Sequence, residues 1–190
     1  MLTTTEIMPQ LKIGWLNGWW AIFLLGLTEG IFFALFPKQV VARLFDRSGW
    51  SRKQVAFITA SKLIGVGCLL VLVLTPLKIG RPIFVIGTIL LICGLAGLMV
   101  ALIDFKNTPL DQPVTRGIYR LSRHPQIVMS SLVLLGGCIA IGSWLASGLW
   151  VVARLLGHWG ILAEEEVCLK RYGSEYQEYM NKVPRYFLLI

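Results

Sequence analysis

Residues 127–163 read IVMSSLVLLGGCIAIGSWLASGLWVVARLLGHWGILA, thirty-seven positions whose only formal charge is Arg154. As one helix the run would extend about 55 Å at 1.5 Å per residue, nearly twice the roughly 30 Å of a bilayer's hydrocarbon core. It must fold back on itself. Gly142-Ser143 is the natural place for the reversal, and Gly136-Gly137 just before it permit close helix approach. The run therefore predicts a tight hairpin of two spans, the first of them short.

Working outward, three more apolar runs have spanning length: residues 15–36 with one charge, Glu29, residues 55–77 with one, Lys62, and residues 82–103 with none. Composition agrees. The chain is 56% apolar and only 15% charged, with a mean hydropathy of +0.71, which is too greasy for a water-soluble domain of 190 residues. The net charge of +8 then reads as basic loops facing anionic lipid, and nucleic acid is discarded as a partner.

The placement of that charge predicts the orientation. Lys38, Arg43, Arg47, Arg52 and Lys53 follow the first run. Lys106, Arg116, Arg120 and Arg123 follow the third, and Lys170, Arg171, Lys182 and Arg185 follow the fifth, thirteen in all on one side. Lys12, Lys78 and Arg81 fall on the other. Five spans with the N-terminus outside and the C-terminus in the cytoplasm satisfy the positive-inside rule. In a prokaryotic cell the host membrane would be the inner one. The N-terminus, with acidic Glu6 and no small-residue cleavage site, is read as a retained first span rather than a signal peptide.

After the hairpin, Leu169, Tyr172, Tyr176, Tyr179 and Val183 recur every three or four residues among charged neighbours, an amphipathic helical pattern. Gly173 interrupts it in front of the capping-box pattern Ser174-x-x-Gln177, and Pro184 ends it. The expected fold class is thus all-α, an integral-membrane bundle of five transmembrane helices, the last two a hairpin, with a C-terminal amphipathic helix on the cytoplasmic side. Residues 1–190 form one membrane domain, 1–104 as a three-helix anchor part and 105–190 as a functional half.

Polar groups inside the spans are expensive and mark function or structure. Arg154, His158 and Glu165 fall within about 40° of one another on a helix turning about 100° per residue. They form either one wall of a site or a hydrogen-bonded chain within the bundle. Lys62 is two turns from its cytoplasmic end and can snorkel, whereas Glu29 needs a polar partner on a neighbouring helix. The two histidines, His124 and His158, have no second ligand at metal spacing, so no metal is expected. Nucleophile motifs and a Rossmann glycine loop are also missing. Cys68, Cys93, Cys138 and Cys168 imply no disulfide framework.

What remains is a cytoplasmic-side constellation. Thr108-Pro109, then Val114-Thr115-x-Gly117-x-Tyr119-Arg120 leading into Arg123-His124-Pro125, precedes the hairpin. Glu164-Glu165 and Tyr172-Gly173-x-x-Tyr176-x-x-Tyr179-x-x-x-Val183-Pro184-Arg185 follow it. This order resembles the catalytic half of the isoprenylcysteine carboxyl methyltransferase and phospholipid N-methyltransferase superfamily of integral-membrane enzymes, from about residue 107 onward. The resemblance implies S-adenosylmethionine at the cytoplasmic end of the last two spans, with a lipid-side opening for the acceptor. It implies cofactor contacts from Tyr119, Arg123, His124, Pro125, Glu164, Glu165 and Tyr176. Arg123 would face the methionyl carboxylate, and Glu164 or Glu165 the ribose hydroxyls or the ammonium group. Arg154, His158 and Glu165 are then the candidate catalytic groups.

The chain departs from the superfamily pattern at Ile127, where tyrosine is common, at Val128-Met129-Ser130, where a glycine is usual, and at Gly160, where an arginine often precedes the glutamates. These changes leave the acceptor open among a prenylcysteine carboxylate, a phospholipid amine, an isoprenoid acid and a small thiol. A membrane lipid or other lipophilic molecule is expected. The rival readings are an NADPH-dependent membrane reductase of the sterol reductase type and a non-enzymatic small membrane protein.

Overall fold

A computed structural model describes residues 9–187, so Glu6 lies outside the described residues. These residues are all-helical, with no strand among them and an isolated bridge between Asn17 and Pro76. In chain order the helices are α1 (Trp19–Leu35), α2 (Lys38–Leu44), α3 (Arg52–Leu74) and α4 (Pro82–Lys106). A 3-10 turn (Gly117–Arg120) follows, then α5 (Pro125–Ala140) and α6 (Trp144–Lys182). Three of them, α3, α4 and α6, are long and apolar enough to cross a membrane, whereas α1 and α5 are shorter apolar helices. Large side chains such as Leu63, Val66 and Leu70 on α3 and Val85, Ile89 and Ile92 on α4 are exposed, as lipid-facing surfaces require. The protein is an integral membrane protein.

The helix boundaries have local causes. Ser51 and Gln54 form a reciprocal capping box that starts α3, three residues before the apolar run begins. Residues 12–18 do not join α1, because they are hydrogen-bonded to the end of α3: Lys12 N to Leu74 O at 2.7 Å, Gly18 N to Thr75 O at 3.0 Å and Asn17 Nδ2 to Val73 O at 2.8 Å. Pro37 breaks the chain after α1, and the short α2 follows it.

The reversal falls at residues 141–143, with Gly142 at φ +65° and the Ser143 hydroxyl accepting from Ala146 N at 3.2 Å. The helices it joins do not form the expected tight hairpin. α5 packs principally on α4, and α6 on α3. The small residues explain this, since a Cβ on Gly136 would lie 2.5 Å from the carbonyl oxygen of Gly87, and one on Gly94 would lie 2.8 Å from Val133 N. Gly136 thus brings α5 onto α4, not onto α6. Gly137 likewise faces Ala21 of α1. The core clusters follow the same seams: Cys68, Leu72, Cys138, Ile141 and Ala146 at the turn end, and Phe36, Val40, Leu98 and Leu102 under α2.

Beyond Glu166, α6 continues to Lys182 with one non-helical residue, Gly173, at φ +56° and ψ −129°. The interruption expected there is real. It turns Tyr176 and Tyr179 inward, where both are buried.

Candidate active site

The start of α5 and the middle of α6 are joined by one buried carboxylate. Glu165, 4% exposed, accepts from Arg123 Nε at 2.8 Å and lies 3.3 Å from His124 Nε2. It also accepts from Arg185 Nε at 3.0 and 3.1 Å and from Arg185 Nη2 at 2.7 Å. Local sequence places each partner. His124 is the N-cap of α5, followed by Pro125 at the first helical position. Arg123 is fixed through its backbone N–H to Pro184 O at 2.9 Å and through Nη1 to Met180 O and Val183 O at 2.9 and 2.7 Å. Pro184 ends α6 and swings Arg185 back onto Glu165. The Ser122 hydroxyl donates to Arg185 O at 2.8 Å.

Electrostatics follow from that packing. Burial alone would raise the Glu165 pKa, but hydrogen bonds from His124, Arg185 and Arg123 outweigh it and hold the carboxyl well below its usual range. For His124, burial disfavours the charged ring. The carboxylates of Glu164, with Oε2 3.5 Å from Nδ1, and of Glu165 outweigh that and raise its pKa above 6.5. Burial pushes the Cys168 thiol up to about 11, so it is protonated at neutral pH and no nucleophile.

Two cavities flank this cluster. The first, about 640 Å³, lies between α5 and α6 where the two helices part. Ile127, Val128, Leu132 and Leu135 line it from α5, and Arg154, His158 and Ile161 from α6, with Trp50, Ile58 and Lys62 on a third side. The second, about 260 Å³, is the more polar. It is lined by Arg43, Phe105, Tyr119, Gln126, Cys168, Tyr172 and Tyr176 among others. Leu44, Asp46, Ile127 and Glu164 border both.

The expected site residues sort accordingly. Tyr119, Arg123, His124, Glu164 and Tyr176 line the smaller cavity, Pro125 starts α5 buried behind it, and Arg154 and His158 line the larger one. Glu165 lines neither, being turned into the ion cluster, and of the two glutamates it is its neighbour Glu164, 40% exposed, that borders both cavities, as Asp46 does. Arg154, His158 and Glu165 do not bond one another. Arg154 Nη1 donates to Ser131 Oγ at 2.9 Å, and His158 Nδ1 is 2.7 Å from the Tyr186 hydroxyl.

Several site residues were not singled out from sequence. Arg185 stood in the closing Val183-Pro184-Arg185 motif, which was the available signal. Arg43 donates to Pro109 O, Gln112 O and the Tyr172 hydroxyl at 3.0, 2.6 and 3.1 Å, and Asp46 pairs with Arg171 at 2.6 Å. In sequence these are ordinary loop charges. Gln126 lines the smaller cavity next to Tyr119, with Nε2 buried. Residues 43–62, from the part expected as an anchor, therefore help to line both cavities.

The arrangement can hold a polar, partly charged small molecule next to an apolar one, with a carboxylate between them. No curated protein and no solved structure matches the chain. A model of the phospholipid methyltransferase family matches residues 79–175, which takes in α4, the segment leading to His124, the turn and α6 as far as Gly173 and two residues beyond. That is a little over half of the 190 residues, and the chain belongs to the phospholipid methyltransferase family.

Proposed function

We propose that the protein transfers a methyl group from S-adenosylmethionine to a lipophilic acceptor at the cytoplasmic end of a five-span bundle whose C-terminus is cytoplasmic. The observation that carries this reading is the meeting of a polar and a larger, mainly apolar cavity at Glu164 and Ile127.

The smaller cavity suits the cofactor chemically. It offers guanidinium groups at Arg43 and Arg171 for a carboxylate, Glu164 for hydroxyls or an ammonium, the Gln126 amide beside Tyr119, and the rings of Phe105, Tyr172 and Tyr176 for a cationic or aromatic group. When bound, S-adenosylmethionine supplies an electrophilic methyl group on a positively charged sulfur. The chain's own task is positioning and the exclusion of water. Ile127 and Leu44 wall the junction with apolar surface, Asp46 borders it, and Glu164 would offer a carboxylate to a cationic centre held there. The buried Glu165 cluster positions the segment 122–124 that borders the cavity, acting through His124 and Arg123.

Binding of radiolabelled S-adenosylmethionine to detergent-purified protein, run against NADPH, tests the cofactor. Saturable binding of the former is expected, weakened at least tenfold in His124→Ala. Binding of NADPH alone overturns the reading. For topology, a reporter fused after Ile190 that is active only in the external compartment overturns the cytoplasmic C-terminus.

A further inference from the structure

The cavity between α5 and α6 has an unbalanced wall. Of its acidic residues, Asp46 is engaged by Arg171 and Ser48, and Glu164 faces His124. Among the described residues Arg154 has one hydrogen-bond partner, Ser131, and no carboxylate in ion-pair range. Lys62 lines the same space, as does Trp50, whose Nε1 is buried without a partner. A guanidinium in the apolar part of a membrane helix is costly unless an anion or several acceptors compensate it. The described residues supply one hydroxyl.

The missing partner is not the reacting group. Arg154 precedes Glu164 by ten residues, about 15 Å of helix. Even with its guanidinium leaning toward Gly157, where a Cβ would lie 3.7 Å from Nη2, seven residues or about 10 Å remain.

We propose that this cavity takes an anionic lipophilic molecule whose carboxylate or phosphate is held by Arg154, with the Trp50 indole and Lys62 as further donors, about 10 Å deeper than the site of methyl transfer. The assignment rests on the reading of this cavity as the acceptor site and narrows the acceptor to molecules bearing acid oxygens at that remove from the methyl-accepting atom. The apolar lining by Ile58, Val128, Leu132, Leu135 and Ile161 takes the hydrocarbon.

The test uses binding in non-ionic detergent without S-adenosylmethionine, so that failure of the methyltransferase reading leaves its outcome unaffected. The probes are palmitate, hexadecyl phosphate, hexadecanol and hexadecylamine, matched in chain length. At least one anion should bind tenfold or more tighter than the alcohol and the amine, and which of the two is tighter identifies the source as carboxylate or phosphate. Arg154→Gln should erase that preference and Arg154→Lys should keep most of it. If Arg154→Gln does not fold, the wild-type comparison and Arg154→Lys still decide. Equal affinity for the alcohol and both anions, or an anion preference that survives in folded Arg154→Gln, overturns the proposal.

Discussion

Arg185 grips Glu165 from the side, its Nε reaching both carboxylate oxygens and its Nη2 one of them at 2.7 Å. The contact ties the segment beyond α6 back to the helix it has just left. Because Arg123 holds the same carboxylate from the start of α5, a single buried charge fastens three segments. Glu165→Gln should therefore leave two guanidinium groups without their counter-charge. Breaking a buried ion pair by removing one partner costs about 3–5 kcal/mol, so a clear fall in the thermal unfolding midpoint in detergent is expected. An unchanged midpoint would show the cluster to be dispensable. Arg185→Lys, which loses the forked geometry but keeps the charge, should fall less.

Stability should also depend on pH in a defined sense. The His124 pKa is raised in the folded protein, so its contribution is complete below the unfolded value, about 6.5, and is lost as pH rises through the folded value. The Glu165 pKa is lowered, so its contribution is present above about 4.5 and is lost as pH falls through the depressed folded value. Unfolding midpoints measured from pH 2 to 9 should decline toward both ends. In His124→Asn the decline on the basic side should shrink, and an identical profile in that variant would place its origin elsewhere.

At the α4–α5 contact, Gly136→Ala would set a methyl 2.5 Å from the Gly87 carbonyl oxygen. Backbone has to move to admit it, and overpacking of this kind costs about 1–3 kcal/mol. Reduced resistance to unfolding in a denaturing detergent is expected. Gly148→Ala, whose Cβ meets nothing within 4 Å, serves as the tolerated control. Equal resistance in the two variants would argue against close packing at Gly136.

Gly173 differs, since space around it is open and the constraint is its backbone, at φ +56° and ψ −129°. An alanine there should cost about 1–3 kcal/mol and favour a straight helix. That would withdraw Tyr179, whose hydroxyl donates to Tyr119 O at 2.7 Å. Increased hydrogen exchange in residues 117–124 would report the loss, and exchange unchanged from wild type would show that the bend does not hold that segment.

The legible parts of the fold were those set by local chemistry. Apolar run length located α3, α4 and the α5–α6 pair, and Gly142-Ser143 and Gly173 marked the turn and the bend because each needs an unusual backbone or a cap. Partner choice between helices was not legible. Gly136 announces a close approach but not to which helix, and only the facing Gly87, about fifty positions earlier, decides it. The site shows the same division. The motifs brought Arg123, His124 and Glu165 together, yet an angular count could not tell that Glu165 would be consumed by cations while Glu164, one residue away, borders both cavities. Arg43 and Asp46 were invisible, because surface charges acquire meaning only from what stands across from them.

The parting of α5 from α6 has a mechanical consequence. The two helices are pinned at one end by the three-residue turn 141–143 and at the other by the Glu165 ion cluster, while each leans on its own partner, α4 or α3. A slit closed at both ends can widen only along its middle. On the proposed function an acceptor would enter sideways, past exposed Leu155, and room for a bulkier one would come from the α4–α5 and α3–α6 pairs bowing apart as units. Neither glycine-sealed contacts nor buried charges would need to break for that, so on this reading tolerance for chain size and rigidity of the reacting end would reside in separate parts of one small protein.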